Sequence, residues 1–207
     1  MKNLTELVFI LDKSGSMAGM EKDTIGGFNS MIEKQKSEDG DAYVSVVLFS
    51  NYSEVLFDRK RLEDVTLLTE KDYIPCGCTA LLDAIGGSIK HISNIHKYAR
   101  KEDVPNKTIF VITTDGMENA SRIYNYNMVK QMISEKEEKY GWKFLFAADN
   151  IDACKMGENI GIKKEYTANY SVKVGTTSLY EKVCETIGEF RKTGKIRENW
   201  NKDIKNK

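Results

Sequence analysis

The chain has 207 residues, of which 41% are hydrophobic and 30% charged, and its 31 basic side chains balance its 31 acidic ones. This length and composition are typical of one soluble globular domain with a substantial core, and they exclude a disordered or membrane-embedded chain. Nucleic acids and anionic membranes are usually bound by a clear excess of basic residues, so the zero net charge argues against both as partners.

Short apolar runs alternate along the chain with longer amphipathic segments. The predicted strands are 6–11, 43–49, 54–57, 108–113, 143–148 and, with a weaker pattern, 165–168. Residues 8–11 and 109–112 are apolar at every position, which is typical of parallel strands covered by helices on both faces. Around Asn51 and Tyr52 too few residues separate two strands for a crossover helix, so we expect a hairpin and one antiparallel strand.

The helical segments carry apolar residues at spacings of three and four. The predicted helices are 24–35, 80–95, 126–140 and 178–190. Their alternation with the strands predicts an α/β fold, with a mainly parallel sheet and helices on both faces. Because no linker divides the chain, residues 1–190 are predicted to form one domain. Residues 191–207 are predicted to be a basic, solvated tail, with docking of this segment through Trp200 as the alternative.

The cysteines and the first strand bear on the cellular compartment. Cys76, Cys78, Cys154 and Cys184 form no CxxC pair, which indicates reduced thiols rather than disulfides. The apolar run 7–11 is too short for the core of a signal peptide, and no stretch approaches the roughly 18 apolar residues of a membrane helix. We therefore expect a cytoplasmic protein.

Residues with oxygen-bearing side chains stand at the ends of three predicted elements. Asp12, Ser14 and Ser16 follow the first strand, Thr79 precedes the second helix, and Asp115 follows the fourth strand. The carboxyl ends of parallel strands form the edge at which open α/β sheets bind ligands, so we expect these side chains to converge. Two carboxylates and three hydroxyls suit a hard divalent cation. Each motif alone also fits an ordinary turn or helix cap, but that interpretation does not explain all three together.

The motif Asp12-x-Ser14-x-Ser16, followed by Thr79 and by Asp115 with its glycine, resembles the metal-ion-dependent adhesion site of von Willebrand factor A (vWA) domains, also called integrin I-like domains. The resemblance extends over nearly the whole chain in motif order, intervening elements and length. It implies a three-layer, Rossmann-like vWA fold with a complete site. It also implies that Ser14 and Ser16 bind the metal directly, that Thr79 binds it directly or through water, and that the two aspartates act largely through bridging water.

The resemblance implies Mg²⁺ as the cofactor, with Mn²⁺ or Ca²⁺ as alternatives, and vWA domains serve in adhesion, in complex assembly and as partners of ATPases and chelatases. Neutral hydroxyl ligands leave much of the metal charge uncompensated, so a carboxylate from another molecule can complete the shell. We therefore predict a non-enzymatic module that binds an acidic residue of a partner protein. Glu118 and Asn119 are predicted to form a partner-binding rim, with an exposed loop leading into a helix as the alternative.

Two other functions remain open: a Mg²⁺-dependent hydrolase of the phosphatase type, and a structural subunit whose metal stabilises the loops. The Asp-x-Asp pattern of one phosphatase class is absent because Ser14 occupies the second position, and the chain has no phosphate-binding glycine motif. No general base beside Ser14 and Ser16 is evident from the sequence.

Two further groups of residues have ordinary interpretations. Cys76 and Cys78 precede Thr79, where a redox pair or a soft-metal site is conceivable, but packing of small residues is the favoured interpretation. His91 and His96 are five residues apart, which is not the spacing of a metal-binding pair on a helix. We expect them to be solvated or to interact with the carboxyl end of the helix.

Overall fold

The computed structural model describes residues 3–149, 152–202 and 204, except for the side chains of residues 172–175. The strands are β1 (Leu4–Asp12), β2 (Asp41–Phe49), β3 (Ser53–Arg61), β4 (Lys107–Thr114), β5 (Lys143–Ala148) and β6 (Thr167–Asn169). They form one sheet in the order β3-β2-β1-β4-β5-β6. All neighbouring pairs are parallel except β2 and β3, which form the predicted hairpin with an antiparallel edge strand.

The helices are α1 (Glu21–Lys36), α2 (Leu81–Tyr98), α3 (Tyr126–Tyr140), α4 (Ala153–Asn159) and α5 (Val172–Thr193). Side chains alternate between the faces of β1, so Leu7, Phe9 and Leu11 pack in the core beneath α1 and α5. Val8 and Ile10 pack in a second core beneath α2, α3 and α4. The prediction of a mainly parallel sheet with helices on both faces is therefore confirmed.

The main differences from the predicted elements lie at boundaries and in short elements. Helix α1 begins at Glu21, before the predicted residue 24, and α5 begins at Val172, well before residue 178. Helix α4 was not predicted because a helix of seven residues shows too few periods of an apolar pattern. Over the described residues, no helix is both long and apolar enough to cross a membrane.

The segment after residue 190 packs against the domain. Helix α5 continues to Thr193, and Arg191 is buried, with its guanidinium donating to the carbonyl of Gln35 at 2.6 Å and to that of Gly40 at 2.7 Å. Trp200 is also buried, and its indole donates to the carbonyl of Glu165 at 3.0 Å. The prediction of a solvated tail is therefore wrong for these residues, which dock on the domain.

The two histidines also differ from expectation. His91 lies 2.8 Å from an Asp58 oxygen at the surface, which agrees with a solvated position. His96 is mostly buried, and its ring lies 3.1 Å from Glu6, which also accepts from Arg59 at 2.9 Å. The expected interaction of His96 with solvent or the helix end is replaced by this contact to the first strand.

Candidate metal site at the carboxyl edge of the sheet

The two aspartates of the predicted site meet because β1 and β4 are adjacent and parallel. Leu11 is paired with Thr113, so Asp12 and Asp115 lie at the same edge of the sheet. From β1 the chain passes first to one side of the sheet, through β2 and β3, and then returns to β4 on the other side. The gap between β1 and β4 is therefore the topological switch point, where open α/β sheets bind ligands.

The loop 12–17 turns tightly behind β1. The amide of Ser14 donates to Asp12 Oδ1 at 2.7 Å, and a short 3-10 helix follows at Gly15–Met17. The hydroxyl oxygens of Ser14 and Ser16 are 3.1 Å apart, and Ser16 Oγ donates to Asp115 Oδ1 at 2.7 Å. The turn and the parallel strands thus bring four of the five predicted ligands into one connected group.

Thr79 joins this group from the start of α2. A Cβ atom added to Gly116 would lie 3.3 Å from Thr79 Oγ1 and 3.8 Å from Ser16 Oγ, so both hydroxyls border this glycine. The amide of Thr79 donates to Asn119 Oδ1 at 2.8 Å, and the Asn119 amide donates back to the Thr79 carbonyl at 3.0 Å. The glycine after Asp115 therefore lets the loop after β4 approach the start of α2 closely.

The two aspartates of the candidate site are buried. Asp12 is 1% exposed and Asp115 is 6% exposed, and burial raises the pKa of both carboxyl groups. The Thr114 hydroxyl and the Ser14 amide partly oppose the rise for Asp12, and the Ser16 hydroxyl does so for Asp115. Within residues 3–149, 152–202 and 204, no Lys, Arg or His forms an ion pair with either carboxylate. Ionising both groups is therefore costly unless a cation neutralises them.

The donor set is rich in hydroxyls. Among the described residues, no group of three or more His, Cys, Asp and Glu side chains is arranged to hold a metal. This site has two carboxylates, and its remaining candidate donors are the hydroxyls of Ser14, Ser16 and Thr79. Its chemistry therefore fits a hard cation that accepts neutral oxygen ligands and retains water, and it does not fit a cation that prefers thiolate or imidazole.

Glu118 and Asn119, the predicted rim, make contacts within the chain. Glu118 Oε1 accepts from the amides of Ala120 and Ser121, and Oε2 accepts from the Leu82 amide at 2.9 Å. The carboxylate thereby ties the loop after β4 to the first turn of α2 and satisfies an amide left free at the helix start. Asn119 is exposed, but its side-chain oxygen is engaged by Thr79. Contact of either residue with a partner remains a prediction.

Two residues around Asp12 were not identified from the sequence. Thr114 Oγ1 donates to Asp12 Oδ2 at 2.6 Å, and the buried hydroxyl of Tyr73 donates to the Asp12 carbonyl. Thr114 directly precedes Asp115 in the sequence, so its position offered a signal. Tyr73 offered none, because it lies 61 residues from Asp12 in a segment without regular structure.

The predicted convergence of Ser16 and Asp115 also has a chemical consequence. Asp115 Oδ1 accepts the hydrogen bond of Ser16 Oγ, so a carboxylate that can act as a general base lies beside a hydroxyl. No general base beside Ser14 and Ser16 was evident from the sequence, and the structure brings the Asp115 carboxylate to Ser16. The same contact serves equally well to orient two metal ligands.

A scan of protein-family models and a search of curated proteins gave no match. Solved structures do match. The vWF domain of the type V pili tip protein Mfa5 from Porphyromonas gingivalis has a TM-score of 0.65 and 10% identity, over 95% of this chain and 99% of that one. Proximal thread matrix protein 1 from the mussel byssus has a TM-score of 0.60 and 16% identity, over 89% of this chain and 46% of that one.

A second structure of the byssus protein has a zinc-occupied MIDAS motif, the metal-ion-dependent adhesion site, and matches with a TM-score of 0.58 and 18% identity, over 89% of this chain and 46% of that one. The ArnB paralog VWA2 from Sulfolobus acidocaldarius matches with a TM-score of 0.56 and 17% identity, over 90% of this chain and 45% of that one. The chain thus spans just under half the length of the byssus and Sulfolobus proteins. At these identities the comparison establishes the fold, which is the Rossmann-like vWA fold.

Proposed function

We propose that this domain is a metal-dependent protein-binding module with a complete metal-ion-dependent adhesion site. In this proposal Asp12, Ser14, Ser16, Thr79 and Asp115 hold one divalent cation, and a partner protein supplies a carboxylate to it. The observation that carries the proposal is the connected group of hydroxyl and carboxylate oxygens at the switch point, in which two buried carboxylates pair with no basic side chain that the structure describes.

The chemistry of the donors supports Mg²⁺, with Mn²⁺ or Ca²⁺ as substitutes. A divalent cation would neutralise Asp12 and Asp115, and the neutral hydroxyls would leave it enough charge to attract a further anion. A carboxylate is the anionic oxygen ligand that a protein partner can offer. Zinc in the MIDAS motif of the byssus protein supports the capacity of this fold to hold a divalent cation there.

The proposal has consequences for the surroundings of the site. Glu118 and Asn119 would border the bound partner, with Glu118 acting through the loop that it holds. The balanced charge of the chain supports a protein partner rather than nucleic acid or a membrane. We place the domain in the cytoplasm, where its four free cysteines would stay reduced.

Titration calorimetry with Mn²⁺ tests the metal site directly. The wild-type chain should bind one Mn²⁺, and the double variant Ser14→Ala with Ser16→Ala should lose this binding while its circular dichroism stays unchanged. Ser30→Ala, at an exposed position on α1, is the matched control and should bind as the wild type does. Unchanged Mn²⁺ affinity in the double variant would refute the assignment.

A hydrolase is the second candidate, because Ser16 Oγ donates to the Asp115 carboxylate. Release of phosphate from a simple aryl phosphate in the presence of Mg²⁺ tests it. The binding module predicts no turnover above background, whereas turnover that disappears in Ser16→Ala would establish the hydrolase.

The remaining alternative is a structural subunit whose metal only stabilises the loops. In that case EDTA should leave a captured partner bound as long as the domain remains folded.

A further inference from the structure

Cys76 and Cys78 stand on either side of Gly77 in the loop before Thr79, and both are exposed. Packing of small residues, the interpretation favoured from the sequence, is therefore wrong for this pair. Cys184, by contrast, is buried, and Cys154 is partly buried. The two thiols nearest the candidate metal site are thus the ones most open to reagents in solution.

The backbone between these cysteines is turned. Gly77 has a φ of 75°, in the left-handed region that glycine adopts without the steric cost of a Cβ atom. Two residues of fully extended chain span about 7 Å, and a turn at Gly77 makes the distance between the flanking Cα atoms shorter. Disulfides require Cα separations of roughly 4.4–6.8 Å, so closing one here requires adjustment within this loop.

The same loop holds the serines of the candidate site in place. The carbonyl of Gly77 accepts from the Gly15 amide at 2.9 Å, and the Cys76 amide donates to the Lys13 carbonyl at 2.8 Å. A Cβ atom on Gly15 would lie 3.3 Å from the Gly77 oxygen, so the two loops are in close contact. Because Gly15 stands between Ser14 and Ser16, a shift of Gly77 would be passed to both hydroxyls.

A closed soft-metal site does not fit these thiols. Structural zinc sites take four ligands, usually from Cys and His. Over the described part of the chain, no three or more His, Cys, Asp and Glu side chains group to hold a metal. Two exposed thiols with a glycine between them are instead suited to thiol–disulfide exchange.

We propose that Cys76 and Cys78 form a thiol–disulfide exchange pair, and that closing their disulfide displaces Gly77 and weakens cation binding by the 12–17 loop. The effect on the cation rests on the proposed function, whereas the disulfide and the loop displacement do not. Disulfides of cytosolic proteins are usually transient and sense the redox state, which fits the cytoplasmic location proposed above.

The reaction requires a small-molecule disulfide of the glutathione type. One cysteine thiolate attacks a sulfur of that disulfide, forms a mixed disulfide and expels one small thiolate, which takes up a proton. The second cysteine then attacks the mixed disulfide at the protein sulfur and expels the other small thiolate. The protein loses two protons and two electrons, and the small disulfide is reduced to two thiols.

The experiment uses the full chain in glutathione buffers of increasing oxidation. Peptide mass spectrometry should find Cys76 linked to Cys78, and hydrogen exchange should become faster at the amide of Gly15. Calorimetry should show Mn²⁺ affinity about tenfold weaker, the size of effect typical when a contact that orients metal ligands is lost. Dithiothreitol should restore both the slow exchange and the affinity.

Single-cysteine variants provide the controls. Cys76→Ser and Cys78→Ser retain the backbone hydrogen bonds. On oxidation they should show neither faster exchange at Gly15 nor weaker Mn²⁺ binding, whereas Cys154→Ser should respond as the wild type does. Accumulation of only a mixed disulfide, or a closed disulfide with unchanged Gly15 exchange, would overturn the proposal. If the reduced chain binds no Mn²⁺, the proposed metal site fails, but mass spectrometry and hydrogen exchange still decide whether the pair exists.

Discussion

Strand β1 carries two buried carboxylates whose surroundings differ. Glu6, which is fully buried, accepts from Arg59 at 2.9 Å and contacts His96 at 3.1 Å. Asp12, at the other end of the strand, is 1% exposed and contacts an amide and a hydroxyl, with no basic side chain among the described residues paired to it. Glu6 is therefore neutralised within the chain, whereas Asp12 and Asp115 depend on an external cation in the proposed site. This contrast separates the candidate site from an internal ion pair more clearly than acidity alone.

Removing the internal cation of Glu6 should have the largest effect. Arg59→Met keeps much of the aliphatic packing but leaves a buried carboxylate without its main partner, so we expect a loss of about 3 kcal/mol in the free energy of unfolding. Urea denaturation measures this loss. Arg61→Met is the control, because Arg61 and its partner Glu63 are both exposed, and it should change stability by less than about 0.5 kcal/mol. Equal effects of the two variants would contradict the contrast.

Adding metal should stabilise the domain through the site at the Asp12 end of β1. At a Mg²⁺ concentration about 100 times its dissociation constant, the wild-type chain should gain about 2.7 kcal/mol over its stability in EDTA. Asp12→Asn should gain nothing, yet in EDTA it should be at least as stable as the wild type, because it no longer buries an unpaired charge. Thermal unfolding with and without Mg²⁺ measures both. A marked destabilisation of Asp12→Asn in EDTA would mean that the carboxylate is already satisfied within the chain.

The raised pKa of Asp12 and Asp115 makes the stability of the domain depend on pH. This effect is smaller than the two above, and its sign follows from the direction of the pKa shift. The folded state binds protons at these groups more tightly than the unfolded state, so without metal their contribution to stability increases as the pH falls through their folded pKa values. Cation binding needs both groups ionised, so Mn²⁺ affinity should fall over the same range. Calorimetry at a series of pH values from neutral to acidic measures the affinity. An affinity that rises on acidification would contradict the prediction.

Gly116→Ala should have the smallest effect on stability and should act mainly on the affinity for the metal. Its Cβ atom would lie 3.3 Å from Thr79 Oγ1, so we expect a several-fold loss of Mn²⁺ affinity and a stability change within about 1 kcal/mol. Gly87→Ala on α2 is the matched control: its Cβ atom would meet nothing within 4 Å, and alanine is the better helix former. This control should be slightly more stable than the wild type and bind Mn²⁺ unchanged.

The elements that the sequence predicted well are those with a repeated local pattern. Strand β5 and helix α3 have the predicted bounds, and β1 is buried along its whole length as its apolar run indicates. Helix α4 and strand β6 are too short to repeat a pattern. The helix was therefore not predicted, and the strand was predicted about two residues too early. The segment around Trp200 was predicted to be solvated, with docking through Trp200 as the alternative, because charged residues dominate its composition. The burial of Trp200 depends on a distant surface near Glu165.

Residues close together in the chain encode the alternation of strands and helices, the antiparallel hairpin and the three motifs with oxygen donors, so these features could be predicted from the sequence. How those motifs are used depends on contacts between distant parts of the chain. Ser16 contacts a carboxylate 99 residues away, Tyr73 supports the Asp12 backbone from 61 residues away, and Glu118 ties the loop after β4 to α2. Such contacts depend on strand order and packing, and neither is encoded in a local pattern.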